Sequence, residues 1–219
     1  MTRFLAIRGW MFASALVLGL TAPSLAAATP PNIYVQQNLV ANVAGQAAFT
    51  DPNLLDPWGV SLSSSSPFWV SNHLSGTSTL YSGNGAITAV VVTIPPSKGS
   101  KVSFGRPTGQ VQNASTGFLL QNGVKASFIF ATEDGAIEAW NGGTAAQVMV
   151  DNSAAGASYK GLAINPSATA PMIYAANFFS GKIDVFNTSF SPVTVSVVRR
   201  VRVGQDGRAV HHLGQRRGA

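Results

Sequence analysis

The 219-residue chain contains no cysteine. That absence removes both a disulfide framework and a lipid-attachment cysteine, so an exported form has to be held by its core alone. Charge is sparse as well: Asp, Glu, Lys and Arg make up 10% of the residues, and there are three histidines. Two of these, His211 and His212, stand near the C-terminus, which leaves His73 as the one histidine of the body. A Ser-His-Asp arrangement is thereby nearly excluded, and His73, directly after Asn72 at the end of an expected strand, reads as a polar turn residue. No P-loop, zinc-finger, Gly-x-Ser-x-Gly or His-Glu-x-x-His pattern occurs. No apolar run reaches the roughly 20 residues that span a bilayer.

What is present begins with an address. Arg3 and Arg8 form a basic start, Met11 to Leu20 an apolar segment, and Ala26, Ala27 and Ala28 a small-residue cleavage site. Residues 1–28 are therefore expected to be a secretory signal peptide, placing the mature chain outside the cytoplasm, in the periplasm or secreted, with no membrane span after cleavage. The arginines are not adjacent, so a twin-arginine route is not indicated. The net charge of +6 belongs to the ends: between residues 29 and 198 the chain holds six basic residues against seven acidic ones. A nucleic-acid partner is not expected from such a body. Its richness in Gly, Ser, Thr, Asn and β-branched residues suits an all-β protein with many turns.

One phrase recurs three times. Pro57-Trp58-Gly59-Val60 precedes Phe68 to Asn72, Gly76 and Tyr81; Pro107-Thr108-Gly109-Gln110 precedes Ile129 to Glu133, Gly135 and Trp140; Tyr159-Lys160-Gly161-Leu162 precedes Ile173 to Asn177, Gly181 and Phe186. Repeats of roughly 50 residues made of short strands predict β-propeller blades of four antiparallel strands. Residues 29–198 would form a partial propeller of about three blades. Strands are expected at 59–62, 68–72, 79–82 and 88–94, at 109–112, 127–132, 136–140 and 147–150, and at 161–165, 172–177, 182–186 and 193–198. Ile33 to Val40 reads as a further strand ahead of the first blade, and the stretch from Pro95 to Lys101 as a loop. The leading glycines should let the innermost strands approach one another, and Tyr81, Trp140 and Phe186 should pack between blades.

The phrases Asp51-Pro52-Asn53-Leu54-Leu55-Asp56-Pro57-Trp58-Gly59 and Tyr174-Ala175-Ala176-Asn177-Phe178, with Gly181-Lys182-Ile183-Asp184-Val185-Phe186, resemble those of an uncharacterised family of secreted bacterial propeller proteins, some of which end in a PEP-CTERM sorting tail. The resemblance covers about residues 32–195 and extends to NHL-type propellers and, more distantly, to gluconolactonase-like and streptogramin-lyase-like ones. It implies architecture and export but no reaction. Residues 199–219, with six arginines, one acidic residue and no aromatic, depart from this pattern inside the expected last strand. They read as a disordered or out-of-frame tail, which would make the chain an incomplete product of a longer propeller gene.

Asn72, Glu133 and Asn177 are read as occupying one place in their repeats, just beyond the second strand. Rotation about a propeller axis would bring three oxygen-bearing side chains toward one face, the geometry with which lactonase-type propellers hold a divalent cation such as calcium. The alternative is that they serve tight turns, as Asp51, Asp56 and Asp151 are expected to do. Asn113-Ala114-Ser115 and Asn187-Thr188-Ser189 match the glycosylation acceptor pattern. Two classes of function remain. One is a non-catalytic binding or scaffold propeller that presents loops to an extracellular glycan, polymer or protein; the other is a metal-dependent lactonase-type hydrolase or lyase with a channel site.

Overall fold

The computed structural model describes residues 34–167 and 169–195, together with the backbone of two short strands at 202–203 and 209–210. The signal-peptide segment 1–28 and most of the 199–219 tail lie outside the described residues. The chain divides after Gln36, and every strand belongs to the second unit, Gln37–Ala219. Of the first unit, residues 34–36 are described, and they are exposed without regular structure.

The protein is all-β, with one turn of 3₁₀ helix at Ser153–Ala155. Strands β1 (Val40–Ala41) and β2 (Phe49–Thr50) form a small parallel pair. Next come β3 (Pro57–Ser61), β4 (Phe68–Asn72), β5 (Thr77–Tyr81) and β6 (Ile87–Thr93), a four-stranded antiparallel sheet whose spatial order is its chain order. A second such sheet contains β7 (Pro107–Gln112), β8 (Phe128–Thr132), β9 (Ala136–Trp140) and β10 (Gln147–Asp151). The third consists of β11 (Tyr159–Asn165), β12 (Met172–Asn177) and β13 (Lys182–Phe186). Short strands β14 (Arg202–Val203) and β15 (Ala209–Val210) pair antiparallel within the tail.

Two expectations need correction. Ile33 lies outside the described residues, and from 34 to 40 the expected strand does not form: residues 34–39 are irregular and only Val40 enters β1, because the three successive polar residues Gln36, Gln37 and Asn38 interrupt the apolar face a strand would bury. In the third repeat the fourth strand is reduced to a bridge between Phe186 and Pro192, with the Val193 N–H donating to the Val185 carbonyl at 2.8 Å. Residues 193–195 carry no strand, and 196–198 lie outside the described residues.

Successive side chains of a strand point to opposite faces, so each sheet can pack on both sides. The second sheet does so. Phe128 and Phe130 face the first sheet, where they meet Trp69, Leu80, Val92 and Ile94; Ile129 and Ala131 face the third, where they meet Ile173, Ala175 and Phe186. Trp140 and Phe186 lie between sheets as expected, whereas Tyr81 faces away from the second sheet and donates its hydroxyl to Asp51 at 2.8 Å. Burial and the neighbouring Asp51 raise the Tyr81 pKa well above that of a free phenol.

The leading glycines act where the sheets meet. A Cβ on Gly59 would lie 2.4 Å from the Thr108 carbonyl oxygen, and one on Gly109 would lie 2.3 Å from the Leu162 nitrogen. Only a residue without a side chain permits that backbone approach between β3, β7 and β11.

Candidate functional site

The site grows out of the ends of these three adjacent strands. Each pairs with the second strand of its sheet through a register of the same form: Pro57 opposite Asn72, Pro107 opposite Thr132, Tyr159 opposite Asn177. The next residue along donates its N–H to a carbonyl just before the first strand: His73 to Asp56 at 3.1 Å, Glu133 to Arg106 at 2.8 Å and Phe178 to Ser158 at 2.8 Å. Equivalent positions are therefore His73, Glu133 and Phe178. The expected alignment of Asn72, Glu133 and Asn177 is off by one residue in the second repeat, and the structural counterpart of the two asparagines is Thr132. The cause is loop length: His73–Gly76 and Phe178–Gly181 are four-residue connections, Glu133–Gly135 has three, and all three end on a glycine with positive φ.

Every first strand also carries a bulge at the same point, with register shifts between Pro57 and Val60, Pro107 and Gln110, and Tyr159 and Leu162. Bulges re-aim side chains at sheet ends. Here the residue before each leading glycine is affected: Trp58, Thr108 and Lys160. The Thr108 hydroxyl turns to the carbonyls of Ala131 at 3.1 Å and Tyr159 at 2.8 Å, tying the second sheet to the third. Trp58 and Lys160 come together instead, with the ammonium 5.2 Å from the centre of the indole ring. They line an open cleft of about 490 Å³ floored by Gly59, Gly109 and Gly161.

Trp58 and Lys160 connect this cleft to a charged cluster drawn from all three repeats. His73 is the hub. Its Nδ1 is 3.0 Å from Asp56 Oδ2, its Nε2 is 2.6 Å from Glu133 Oε2, and its ring stacks on Trp58 with centroids 5.3 Å apart. Lys160 donates to Glu133 Oε1, and Arg106 Nη1 lies 3.6 Å from Oε2. The hydrogen-bonded Lys160 ammonium holds the Glu133 carboxyl below the usual carboxylate range against the opposing pull of burial, and His73 adds to the effect. Two carboxylates and two fixed cations balance one another. With both ring nitrogens set against carboxylate oxygens, the His73 ring is held in place beside Trp58. The arrangement orients polar groups beside a partly exposed indole.

The residues singled out for a metal go separate ways. The fully buried Asn72 amide donates to Thr77 Oγ1 at 3.2 Å and Thr79 Oγ1 at 2.8 Å. Asn177 donates to Asp184 Oδ2 at 2.9 Å, and its own oxygen accepts from the Ser158 and Ser180 N–H groups at 3.3 and 3.4 Å. Glu133 is the one member that reaches the cluster, so the three share no hydrogen-bond partner. Among the described residues no group of three or more His, Cys, Asp or Glu is disposed to hold a metal ion. Asp51 and Asp151 serve turns, accepting from the Asn53 N–H at 2.8 Å and the Ser153 N–H at 3.0 Å, but Asp56 belongs to the cluster. Asn113 of the first acceptor pattern is buried, its amide donating to the Gly117 and Ala126 carbonyls at 2.9 and 3.0 Å.

His73, Asp56, Arg106, Lys160 and Trp58 were thus not legible as one site. A signal was available: alignment on the leading glycines places Asp56, Arg106 and Lys160 within three residues of them, which concentrates unlike charges in a charge-poor chain.

No protein-family model matches the chain. It is 28% identical over 163 residues to "Uncharacterized protein R648" of Acanthamoeba polyphaga mimivirus, a match that takes in 70% of this chain and 38% of that one. The chain thus spans well under half the length of this relative. A solved structure of BBS1N in complex with ARL6DN, soaked with lead, aligns at a TM-score of 0.39 and 14% identity over 59% of this chain and 40% of that one, a likeness too slight to carry an argument. Among the described residues no helix is long and apolar enough to cross a membrane.

Proposed function

We propose that the chain contributes three consecutive blades of an exported β-propeller binding protein whose ligand site is the cleft lined by Trp58 and Lys160, which His73 and Glu133 hold in place from outside its lining. The observation that carries this reading is the contact of equivalent positions from different repeats: Trp58 meets Lys160, each before its leading glycine, and His73 meets Glu133, each after its second strand. Rotation about a common axis produces such convergence, and the axial end is where a propeller gathers side chains from several blades. The secretory features of residues 1–28 and the phrases shared with secreted bacterial propellers support export and the family resemblance.

Of the partners an exported binding protein meets, a glycan matches this chemistry best. A sugar ring presents one apolar face to an aromatic plate and a rim of hydroxyls to fixed donors and acceptors, and the cleft offers both. The metal-dependent lactonase reading draws no comparable support, since Asn72, Glu133 and Asn177 hydrogen-bond to different groups and share no partner.

A glycan array probed with the purified full chain tests the proposal. Binding to a defined oligosaccharide set is expected, with Trp58→Ala and Glu133→Gln each weakening affinity at least about tenfold, the loss of one good contact of about 1.4 kcal/mol. The absence of any bound glycan, or binding indifferent to both substitutions, would overturn it.

A further inference from the structure

We infer that the ligand is an acidic glycan, whose carboxylate or sulfate group seats in a second pocket, beneath the connection between β6 and β7, against Arg106 and Lys101. The inference rests on the glycan reading above and names the chemical class of its ligand.

This pocket of about 330 Å³ opens between the connection 94–106, the turn at Glu133 and Asp134, and the segment 153–158. It is a separate space from the cleft at Trp58, and one ion pair divides them: Lys160 lines the first, Glu133 lines the second, and the ammonium donates to the carboxylate. A sugar chain stacked on Trp58 has this pocket as its neighbour. The connection that carries Lys101 is pinned beside it. The Lys98 N–H donates to Asp151 Oδ2 at 2.8 Å, the Gly99 N–H to Ser153 Oγ at 3.0 Å, and the Ser97 hydroxyl to the Asp134 carbonyl at 2.7 Å. A Cβ on Gly99 would lie 2.7 Å from that of Ser153, so this approach admits no side chain. A wall fixed in this way lowers the ordering cost of binding.

Charge alone favours no anion here, since Lys101 and Arg106 share the pocket with Glu133 and Asp134. Hydrogen-bond capacity decides. The acceptors are engaged: Asp134 takes the Ser97 N–H at 2.7 Å and the Arg106 N–H at 3.1 Å, and Glu133 meets Lys160 at one oxygen and His73 at the other. The Ser153 hydroxyl donates to Asp151 at 2.5 Å, and that of Ser100 to the Val102 carbonyl at 3.2 Å. The donors are not engaged. A guanidinium is a fork of N–H groups, and Arg106 Nε is buried without a partner while Nη1 lies 3.6 Å from Glu133, beyond hydrogen-bond length. The Lys101 ammonium is exposed and has no partner among the described residues. A pocket with donors to spare and acceptors filled takes a group that only accepts, as an ionised carboxylate or sulfate does, and the guanidinium fork matches such oxygens in pairs. A neutral hydroxyl would bring a proton with no free oxygen to receive it.

The affinity of the full chain for matched glycans tests the inference. The set holds a uronate-bearing oligosaccharide, the same chain with its carboxyl reduced to the alcohol, a sulfated oligosaccharide and its desulfated parent. An acidic member is expected to bind at least about tenfold more tightly than its neutral counterpart, the worth of one hydrogen bond to a charged group, and the pair that shows this identifies the group. Lys101→Gln alters an exposed side chain without partners, so it should leave the melting temperature unchanged while reducing the acidic preference severalfold. Arg106→Gln should abolish that preference, whereas Trp58→Ala should weaken acidic and neutral ligands alike. Acidic and neutral glycans bound equally, or a preference indifferent to both Lys101→Gln and Arg106→Gln, would overturn the acidic subsite and leave the glycan reading standing as long as Trp58→Ala still weakens binding. Failure to bind any member of the set would remove both.

Discussion

The two junctions between sheets are built on one plan and filled with opposite chemistry. Between the second and third sheets the contact is dry: Ile129, Ala131, Ile137 and Ala139 meet Ile173, Ala175 and Phe186, with Phe118 and Phe190 crossing edge to face at 5.3 Å. Between the first and second, Trp69 stacks on Phe128 at 4.1 Å and lies 4.8 Å from Trp140, but Ser71, Ser78, Gln110 and Glu138 are buried beside them. Gln110 is satisfied by three partners across the junction. Glu138 is not: among the described residues neither carboxylate oxygen has a hydrogen-bond partner, and desolvation, helped by Asp134, drives its pKa well above the ordinary carboxyl value. Backbone geometry thus fixes how the sheets approach, while side chains decide whether the junction derives its stability from packing or from a polar network that must be completed to be worth its burial.

The largest expected effect lies in the dry junction. Ile137→Ala opens a cavity that rigid neighbouring sheets cannot fill and should cost about 2–5 kcal/mol in a urea titration. At the polar junction, Gln110→Leu keeps the volume but orphans Ser71, Ser78 and the Trp69 carbonyl, for a smaller loss of about 1–3 kcal/mol. A neutral Gln110→Leu would mean that the network contributes nothing and the contrast is one of composition alone.

Glycine substitution probes what the junctions share. Gly59→Ala and Gly109→Ala place a methyl group against backbone atoms at 2.4 and 2.3 Å, so both should lower stability by about 1–3 kcal/mol despite their different surroundings. Unequal costs in thermal melts would show that one junction yields more readily than the other.

The smallest effect concerns pH. Folded Glu138 keeps its proton where the unfolded chain, above about 4.5, has released it, so at this group the folded state binds more protons and its contribution to stability falls as pH rises past that value. Glu138→Met removes the buried carboxyl, and above that pH it should raise stability by about 1 kcal/mol and flatten the slope of melting temperature against pH. Parallel slopes for variant and wild type would contradict this account of the polar junction.

Most strands were legible because their causes are local. The short apolar runs at Phe68 to Asn72 and Met172 to Asn177, the turn glycines Gly76, Gly135 and Gly181, and the fixed offset to Tyr81, Trp140 and Phe186 all act over a few residues. The charged cluster was not, because its members come from three repeats and one loop is a residue shorter. Matching Glu133 to Asn72 rather than to His73 moved the reading to the next position, and in a strand the next position faces the other way.

By itself the sequence determined that the chain forms short antiparallel strands in three repeats, since short apolar runs and turn glycines are written residue by residue. Only the tertiary structure decided which repeated positions meet. His73 and Glu133 stand 60 residues apart in sequence, and their 2.6 Å contact exists because the bulged first strands of successive sheets, held backbone to backbone at Gly59 and Gly109, bring equivalent strand ends together.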